Sequence, residues 1–170
     1  MFIDESGFYP LPMGVRTDAP RGETPVLTHW LTRAHLSVIG GITPKGKLYF
    51  RVHDRAIKGT DGVDFLNHLL RHVPGPLTVL WDRASIHRCQ AVNDFLAELP
   101  RERLEIEFLP AYAPELNPEE GIWGYLKRVE LKNVCSQSLS SLREQLRQAT
   151  ARLRQKLDVI FGCFQQTGLY

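Results

Sequence analysis

The feature that most constrains the fold is a short, uninterrupted apolar run, Leu77–Trp81, near the middle of the chain. A strand without an alternating polar face is typical of a buried, parallel strand in an α/β sheet. Amphipathic helical spacing is seen on either side of it, over residues 61–72 and 88–99. A further strand pattern follows over residues 104–109. The run therefore predicts a sheet covered by helices.

Antiparallel pairing is predicted upstream of this run. Residues 1–4 form a short apolar strand ending in an acid, and residues 10–25, rich in Pro and Gly, predict an irregular excursion or loose hairpin. Residues 36–42 and 48–52 are β-rich segments separated by turn-forming residues, which predicts a hairpin. Two more helices are predicted, and the order of elements favours an α/β mixed sheet in one domain spanning residues 1–170. These helices cover residues 118–131 and 139–157.

Composition sets limits on function without fixing it. The 170 residues suit a single domain, and the net charge of +2 is only weak support for nucleic-acid binding, although basic residues concentrate over 143–156. The three cysteines, Cys89, Cys135 and Cys163, are too far apart in sequence to suggest a zinc cluster or a disulfide framework. No run approaches the roughly 20 apolar residues of a membrane span. We therefore expect a cytoplasmic protein without a membrane partner.

Three acidic residues in separate elements are the candidate chemical groups. Asp82 follows the apolar strand, at the kind of strand end where ligand sites of open α/β sheets lie, although a turn-initiating Asp is the alternative. Asp4 ends or lies within the first strand, where Glu5 points to the opposite face, and it could equally be a solvated acid. Glu120 is the third residue of a helix capped by Asn117, so an ordinary capping role is open to it.

The combination of these acids indicates metal chemistry more strongly than any one of them. A mixed α/β sheet can bring three such elements to one edge, and Mg²⁺ prefers carboxylate oxygens. Two such ions about 3.5–4 Å apart can activate a water and stabilise the leaving oxygen of a phosphodiester. Three carboxylates suffice to hold the pair without a covalent protein nucleophile.

Three sequence motifs carry a family resemblance. They are FIDESGF at residues 2–8, WDRASIHR at residues 81–88, and the block over residues 109–127 with its Pro-x-Leu-Asn-Pro-x-Glu-x-x-Trp core. Together they resemble the catalytic domain of DDE transposases, specifically the mariner-like bacterial insertion-sequence group. The resemblance covers nearly the whole chain and implies a ribonuclease H-like fold, a five-stranded mixed sheet flanked by helices.

By matching motif positions, the resemblance implies that Asp4, Asp82 and Glu120 are the catalytic and metal-binding residues. Glu120 is preferred over Glu119 because the family's final acid precedes the motif's Trp by three residues, here Trp123. The implied cofactors are Mg²⁺ or Mn²⁺, with two ions expected. The implied reaction is cleavage of DNA phosphodiesters at transposon ends followed by transfer of the strand to target DNA.

Three further residues are candidate DNA contacts. Arg83 stands where many relatives have Asn and could contact a phosphate. His87 could touch substrate or metal, although a structural His is the favoured alternative. Lys127 lies two helical turns after Glu120 and could reach a phosphate, with a solvated Lys as the alternative.

The beginning of the chain departs from the family pattern. The chain opens three residues before Asp4, so we expect the family's N-terminal helix-turn-helix region to be absent and the first strand to be short. A separate N-terminal DNA-binding polypeptide or a homodimer would then complete the enzyme, acting on the nucleoid in a bacterial cytoplasm. The alternatives are a non-catalytic remnant or accessory DNA-binding protein, or another ribonuclease H-like nuclease such as a junction resolvase. The Asn-Pro-x-Glu-x-x-Trp block argues against the last of these.

Overall fold

A single five-stranded sheet organises the chain. The computed structural model describes residues 1–11, 14, 18–24, 26, 33–100 and 102–168. Its strands lie side by side in the order β3-β2-β1-β4-β5. They are β1 (Phe2–Phe8), β2 (Leu36–Ile42), β3 (Leu48–His53), β4 (Leu77–Trp81) and β5 (Leu104–Phe108).

The sheet is mixed, as the sequence predicts. β1 pairs antiparallel with β2, and β2 pairs antiparallel with β3 to form the expected hairpin. On its other side β1 runs parallel to β4, and β4 runs parallel to β5. Because β1 and β4 are parallel neighbours, residues at their carboxyl ends lie at the same edge of the sheet. The predicted five-stranded mixed sheet is confirmed.

Helices cover both faces of this sheet. They are α1 (Gly59–His72), α2 (Gln90–Glu98), α3 (Pro118–Tyr125), α4 (Leu139–Leu153) and α5 (Leu157–Gln166). A π-helical turn, Leu126–Glu130, continues α3 over most of the extent predicted for that helix. No helix in the described ranges has the length and apolar character needed to cross a membrane.

Side-chain alternation along β1 divides the interior into two cores. Ile3 packs with residues of α1 and with Trp81 on one face of the sheet. Phe2 and Phe8 pack on the other face with residues of α3, α4 and α5. Since neighbouring residues of a strand point to opposite faces, Asp4 shares its face with Phe2, and Glu5 shares its face with Ile3.

The start of α1 holds a buried acid. Asp61 accepts two hydrogen bonds from the Arg55 guanidinium, at 2.6 and 2.8 Å, and one from the Lys58 backbone N–H at 2.8 Å. The Arg55 guanidinium, together with that backbone N–H, lowers the pKa of Asp61 to about 2, although burial acts in the opposite direction. This network ties the segment after β3 to the first turn of α1.

The expectation of a short first strand is wrong. β1 extends four residues past Asp4 to Phe8, so that Asp4 lies within the strand. Ser6 and Gly7 give no β signal in the sequence, but their backbones pair with Val38 and Ser37 of β2. Tertiary pairing, which local composition does not report, extends the strand.

The last predicted helix, over residues 139–157, is in fact two helices. α4 ends at Leu153 and α5 begins at Leu157, without a Gly or Pro between them to signal the break. The Lys156 ammonium contacts Glu130 at 2.8 Å and the Tyr125 hydroxyl at 2.9 Å. These contacts fasten the corner between the two helices to the segment following α3.

Another expectation concerns the segment between β1 and β2. The irregular excursion predicted over residues 10–25 lies partly outside the described residues, and its described part contains a turn at residues 21–22.

Basic residues over 143–156 contact the protein itself. Arg147 pairs with Glu144, Arg152 pairs with Glu130, and Arg143 donates to the Val52 carbonyl.

Candidate carboxylate active site

One cleft of about 500 Å³ is lined by all three acids that the sequence singles out, Asp4, Asp82 and Glu120. Phe2 pairs with Leu80 across the parallel β1–β4 ladder, so Asp4 and Asp82 each lie two residues beyond a paired position. The other wall comes from the segment joining β5 to α3. The remaining lining residues include Arg83, Ala84, Arg88, Asn117 and residues 109–114.

Asp4 is buried and held by an indole. Trp123, from α3, donates its Nε1–H to Asp4 Oδ2 at 2.9 Å. Gly40, which pairs with Asp4 in the β1–β2 ladder, makes room for this ring, since a Cβ there would stand 2.6 Å from the Trp123 side chain. Burial raises the pKa of Asp4 to about 7, against the lowering effect of the Trp123 bond, and the charges of Glu5 and Glu120 add to the rise.

The start of α3 leaves Glu120 free to face the cleft. Asn117 caps the helix by accepting the Glu119 N–H at 3.2 Å, and Pro118 occupies the first helical position. The Asn117 N–H donates to the Pro114 carbonyl at 2.9 Å, so the capping box considered for Glu120 is not formed. Glu120 is exposed and lines the cleft, as a metal-binding or catalytic acid would.

Asp82 is held from behind by a buried imidazole. His87 Nδ1 lies 2.6 Å from Asp82 Oδ1 and 3.2 Å from the Asp82 carbonyl oxygen. Its Nε2 lies 3.0 Å from Glu5 Oε2, and its ring stacks on Trp81 with centroids 3.9 Å apart. The Ala84 N–H also donates to Asp82 Oδ1 at 2.9 Å. This arrangement fixes the rotamer of Asp82 while leaving about half of its side chain exposed to the cleft.

The environment of His87 matches the structural alternative. Its side chain is 1% exposed and both ring nitrogens are engaged, so it offers no surface for contacting DNA directly. Burial lowers the pKa of His87, but Glu5 and Asp82 outweigh that effect and the net pKa is raised. The ring therefore joins two carboxylates on opposite sides of it and orients the one in the cleft.

Glu119, the acid next to Glu120, is fully buried. Neither of its carboxylate oxygens has a hydrogen-bond partner among the residues that the structure describes. Burial raises the pKa of Glu119 well above its usual value, and the charge of Asp4 adds to the rise. A buried carboxyl group without a hydrogen-bond partner in the described structure therefore lies near Asp4.

Cationic side chains flank the acids. Arg83 and Arg88 are both exposed and line the cleft. Lys127 is half-buried, donates to Ser6 Oγ at 2.8 Å and lies over the Phe8 ring at 5.2 Å. Burial lowers the pKa of Lys127, while the charges of Glu120 and Asp4 act in the opposite direction. Of the sequence's candidate DNA contacts, Arg83 lines the cleft and Lys127 lies near its acids.

The donor set fits a hard divalent cation in chemical type. Within the described ranges, no three acidic, histidine or cysteine side chains stand close enough together to form a ready cage. Asp82 contacts His87 instead, and Asp4 accepts a hydrogen bond from Trp123. These contacts occupy carboxylate oxygens that a cation would otherwise bind. Asp4 is a buried acid beside two other acids, and a cation there would offset both its desolvation and their repulsion.

Sequence reasoning identified the three acids of the cleft but missed what holds them. Trp123 enters the sequence argument only as a motif residue, yet it donates a hydrogen bond to Asp4. Glu5 was expected only to point away from Asp4, and its contact with His87 had no local signal because it joins residues 82 positions apart. Arg88 could have been noticed from its place one residue after His87.

Comparisons with known proteins agree with this architecture. Residues 1–143 match the family model described as "DDE superfamily endonuclease". A comparison with curated protein sequences found no match. The fold is similar to that of the catalytic domain of Mos1 mariner transposase, with a TM-score of 0.60 and 16% identity, covering 99% of this chain and 83% of that one.

Two larger Mos1 structures match as well. The Mos1 strand transfer complex gives a TM-score of 0.67 with 19% identity, and the mariner Mos1 paired end complex with Mg gives 0.68 with 20% identity. Each match covers 99% of this chain, which spans 54% and 55% of those two chains, respectively. The strand order and helices are those of the ribonuclease H-like transposase catalytic domain, which confirms the expected fold. The chain therefore belongs to the DDE superfamily endonuclease family.

Proposed function

We propose that this chain is the catalytic domain of an insertion-sequence transposase, which cleaves DNA phosphodiesters and transfers the freed strand. The observation that carries the proposal is that Asp4, Asp82 and Glu120, from three separate elements, line a single cleft. Membership of a DDE endonuclease family supports the same reading. So does the likeness in fold to Mos1 structures solved as a strand transfer complex and as a paired end complex.

Asp4, Asp82 and Glu120 would hold two Mg²⁺ or Mn²⁺ ions. Such ions, when bound, supply Lewis-acid activation of a water and stabilisation of the leaving oxygen. Mos1 structures have been solved with Mg and with Mn, which supports this choice of metals. Trp123 holds Asp4 at a fixed orientation, and His87 does the same for Asp82. A freed 3′-hydroxyl would then attack target DNA in the same cleft.

The DNA partner is supported by charge as well as by family. Arg83 and Arg88 give the exposed wall of the cleft two guanidinium groups, which suit bidentate contacts to phosphate oxygens. Lys127 adds a cation near Asp4 and Glu120. Recognition of transposon ends would require a DNA-binding region, a second copy of the chain, or both. We place the reaction on the nucleoid in a bacterial cytoplasm.

Nicking of supercoiled plasmid with Mg²⁺ or Mn²⁺ tests this proposal. Wild type is compared with Asp82→Asn, and Glu115→Gln is the matched control, an exposed acid in the segment before α3 that does not line the cleft. We expect nicking by wild type and by the control, and its loss in Asp82→Asn. Undiminished nicking by Asp82→Asn would overturn the assignment.

A non-catalytic remnant with the same fold is the second candidate. The observation that favours it is the absence, in the described part of the chain, of three side chains already gathered around a metal position. Adding DNA and Mn²⁺ together distinguishes the two, because only a catalytic chain nicks the DNA. Absence of nicking by wild type with plasmid and Mn²⁺ would favour the remnant.

A further inference from the structure

The rim of the carboxylate cleft carries an aromatic side chain that the chemistry described so far does not use. Tyr112 is fully exposed and is one of the residues lining the cleft. None of the aromatic or cation–π contacts within the described residues involves its ring. Complete exposure of so large an apolar ring has no benefit for folding, because the ring removes no surface from water.

The backbone at Tyr112 is also unusual. Its φ is +58°, in the left-handed region that non-glycine residues seldom adopt. Such strain persists only when the surrounding structure imposes it, and it recurs at ligand-binding sites. The side chain carried by this unusual backbone is fully exposed.

The loop carrying Tyr112 is fixed at both ends. The Leu109 N–H donates to the Trp81 carbonyl at 2.8 Å, which ties the loop to the end of β4 beside Asp82. At the other end the Asn117 side-chain N–H donates to the Ile3 carbonyl in β1 at 3.5 Å. Tyr112 therefore stands on an anchored loop at a set position relative to the acids.

The same cleft presents positive charge. Arg83 and Arg88 are exposed there, and guanidinium groups bind phosphate oxygens. A cationic groove with a free aromatic ring is the combination by which proteins bind unpaired nucleotides: the backbone lies along the charges and a base stacks on the ring. A base within a duplex has no free face, so only an unpaired or terminal base fits.

We propose that Tyr112 is a nucleobase-stacking residue that binds an unpaired DNA base next to the phosphodiester in the carboxylate cleft. This deepens the proposed function, and it rests on DNA being the substrate of that cleft. It implies that the DNA is locally opened at the cleavage position, and that a substrate with an unpaired flank binds more tightly than a fully paired one. Tyr112 binds the base and takes no part in the bond-breaking step.

The test uses a DNA duplex with a short single-stranded tail that carries 2-aminopurine, whose fluorescence falls when the base stacks. Binding is followed in EDTA, so that the measurement does not depend on cleavage. Tyr112→Asn removes the ring, and Asn tolerates the left-handed conformation, so the loop keeps its shape. Tyr112→Phe keeps the ring, and Tyr9→Ala is the control, a half-exposed tyrosine that does not line the cleft.

Wild type, Tyr112→Phe and Tyr9→Ala are expected to quench the fluorescence. Tyr112→Asn should lose the quenching and bind the tailed DNA roughly 5- to 100-fold more weakly, as expected for one lost base–aromatic stack. Binding of a fully paired duplex should change little. Equal quenching by wild type and Tyr112→Asn, equal losses on tailed and paired DNA, or no binding by wild type would overturn the inference.

Failure of this inference is distinguishable from failure of the proposed function. Metal-dependent nicking that Asp82→Asn abolishes, together with unchanged base stacking in Tyr112→Asn, would refute only the role of Tyr112. Ring-dependent quenching in a chain that never nicks DNA would refute only the catalytic assignment.

Discussion

Glu119 gives the sharpest prediction about the stability of this domain. Its carboxylate is fully buried without a hydrogen-bond partner in the described structure, and burial followed by the charge of Asp4 raises its pKa well above the usual 4.5. The folded protein therefore holds a proton on Glu119 that the unfolded chain releases above about pH 4.5. Stability from this group is full below that pH and falls as pH rises.

The magnitude follows from proton linkage. Where the folded state binds one more proton than the unfolded state, the free energy of unfolding falls by about 1.4 kcal/mol for each pH unit. Glu119→Gln removes this titration while keeping the side chain's size. Above about pH 4.5, wild type should therefore lose stability more steeply with rising pH than Glu119→Gln does, by up to about 1.4 kcal/mol for each pH unit.

The assay is urea unfolding in EDTA at half-unit pH steps from 4.5 to 7.5. EDTA keeps divalent cations away from the neighbouring acids, so only protons are compared. Glu115→Gln is the matched control, because it removes an exposed acid outside the cleft and should keep the wild-type slope. Parallel curves for wild type and Glu119→Gln would refute the reasoning, since they would mean that Glu119 titrates alike in both states.

Three further predictions concern the supports of the fold and the cleft. Asp61→Asn should lower the free energy of unfolding by about 2 kcal/mol at pH 7, because the pKa of Asp61 in the folded protein is lowered to about 2. The difference in stability between wild type and Asp61→Asn should shrink as the pH falls from about 4 towards 2. A difference that chemical unfolding finds to be independent of pH would contradict this prediction. Trp123→Phe removes the N–H donor to Asp4 and should slow plasmid nicking about tenfold or more. Circular dichroism would verify that the variant is folded. An unchanged nicking rate at saturating metal would refute the positioning role of Trp123. Gly40→Ala should cost about 1–3 kcal/mol in urea unfolding because its Cβ meets the Trp123 ring, whereas Gly162→Ala, with open space around it, should cost nothing.

Much of the fold could be predicted from the sequence because its signals are local. The apolar run Leu77–Trp81 and the hairpin segments report their own burial and turns, and both lie where they were expected. The extension of β1 to Phe8 and the break before Leu157 could not be seen in the same way. The first depends on pairing with β2, and the second on contacts of Lys156 with residues before α4.

The candidate site, like the fold, combines features that the sequence predicts with features that depend on tertiary contacts. The three acids were predicted from motif positions, and all line one cleft. The groups that orient them belong to other elements: Trp123 of α3 reaches Asp4 on the sheet face that α3 covers, and His87 joins Asp82 to Glu5. Such contacts between distant residues follow from the packed fold, and single-sequence patterns carry no record of them. The burial of Glu119 beside the exposed Glu120 likewise emerges only once α3 is docked.

The central claim is that three carboxylates from three elements act together on divalent cations. Titration of Mn²⁺ into the protein, followed by the electron paramagnetic resonance signal of free Mn²⁺, tests it most directly. Wild type and Glu115→Gln should remove Mn²⁺ from solution alike, and Asp82→Asn should bind it markedly more weakly. Equal Mn²⁺ binding by wild type and Asp82→Asn would contradict the account, because the cleft's acids would then not be the metal ligands.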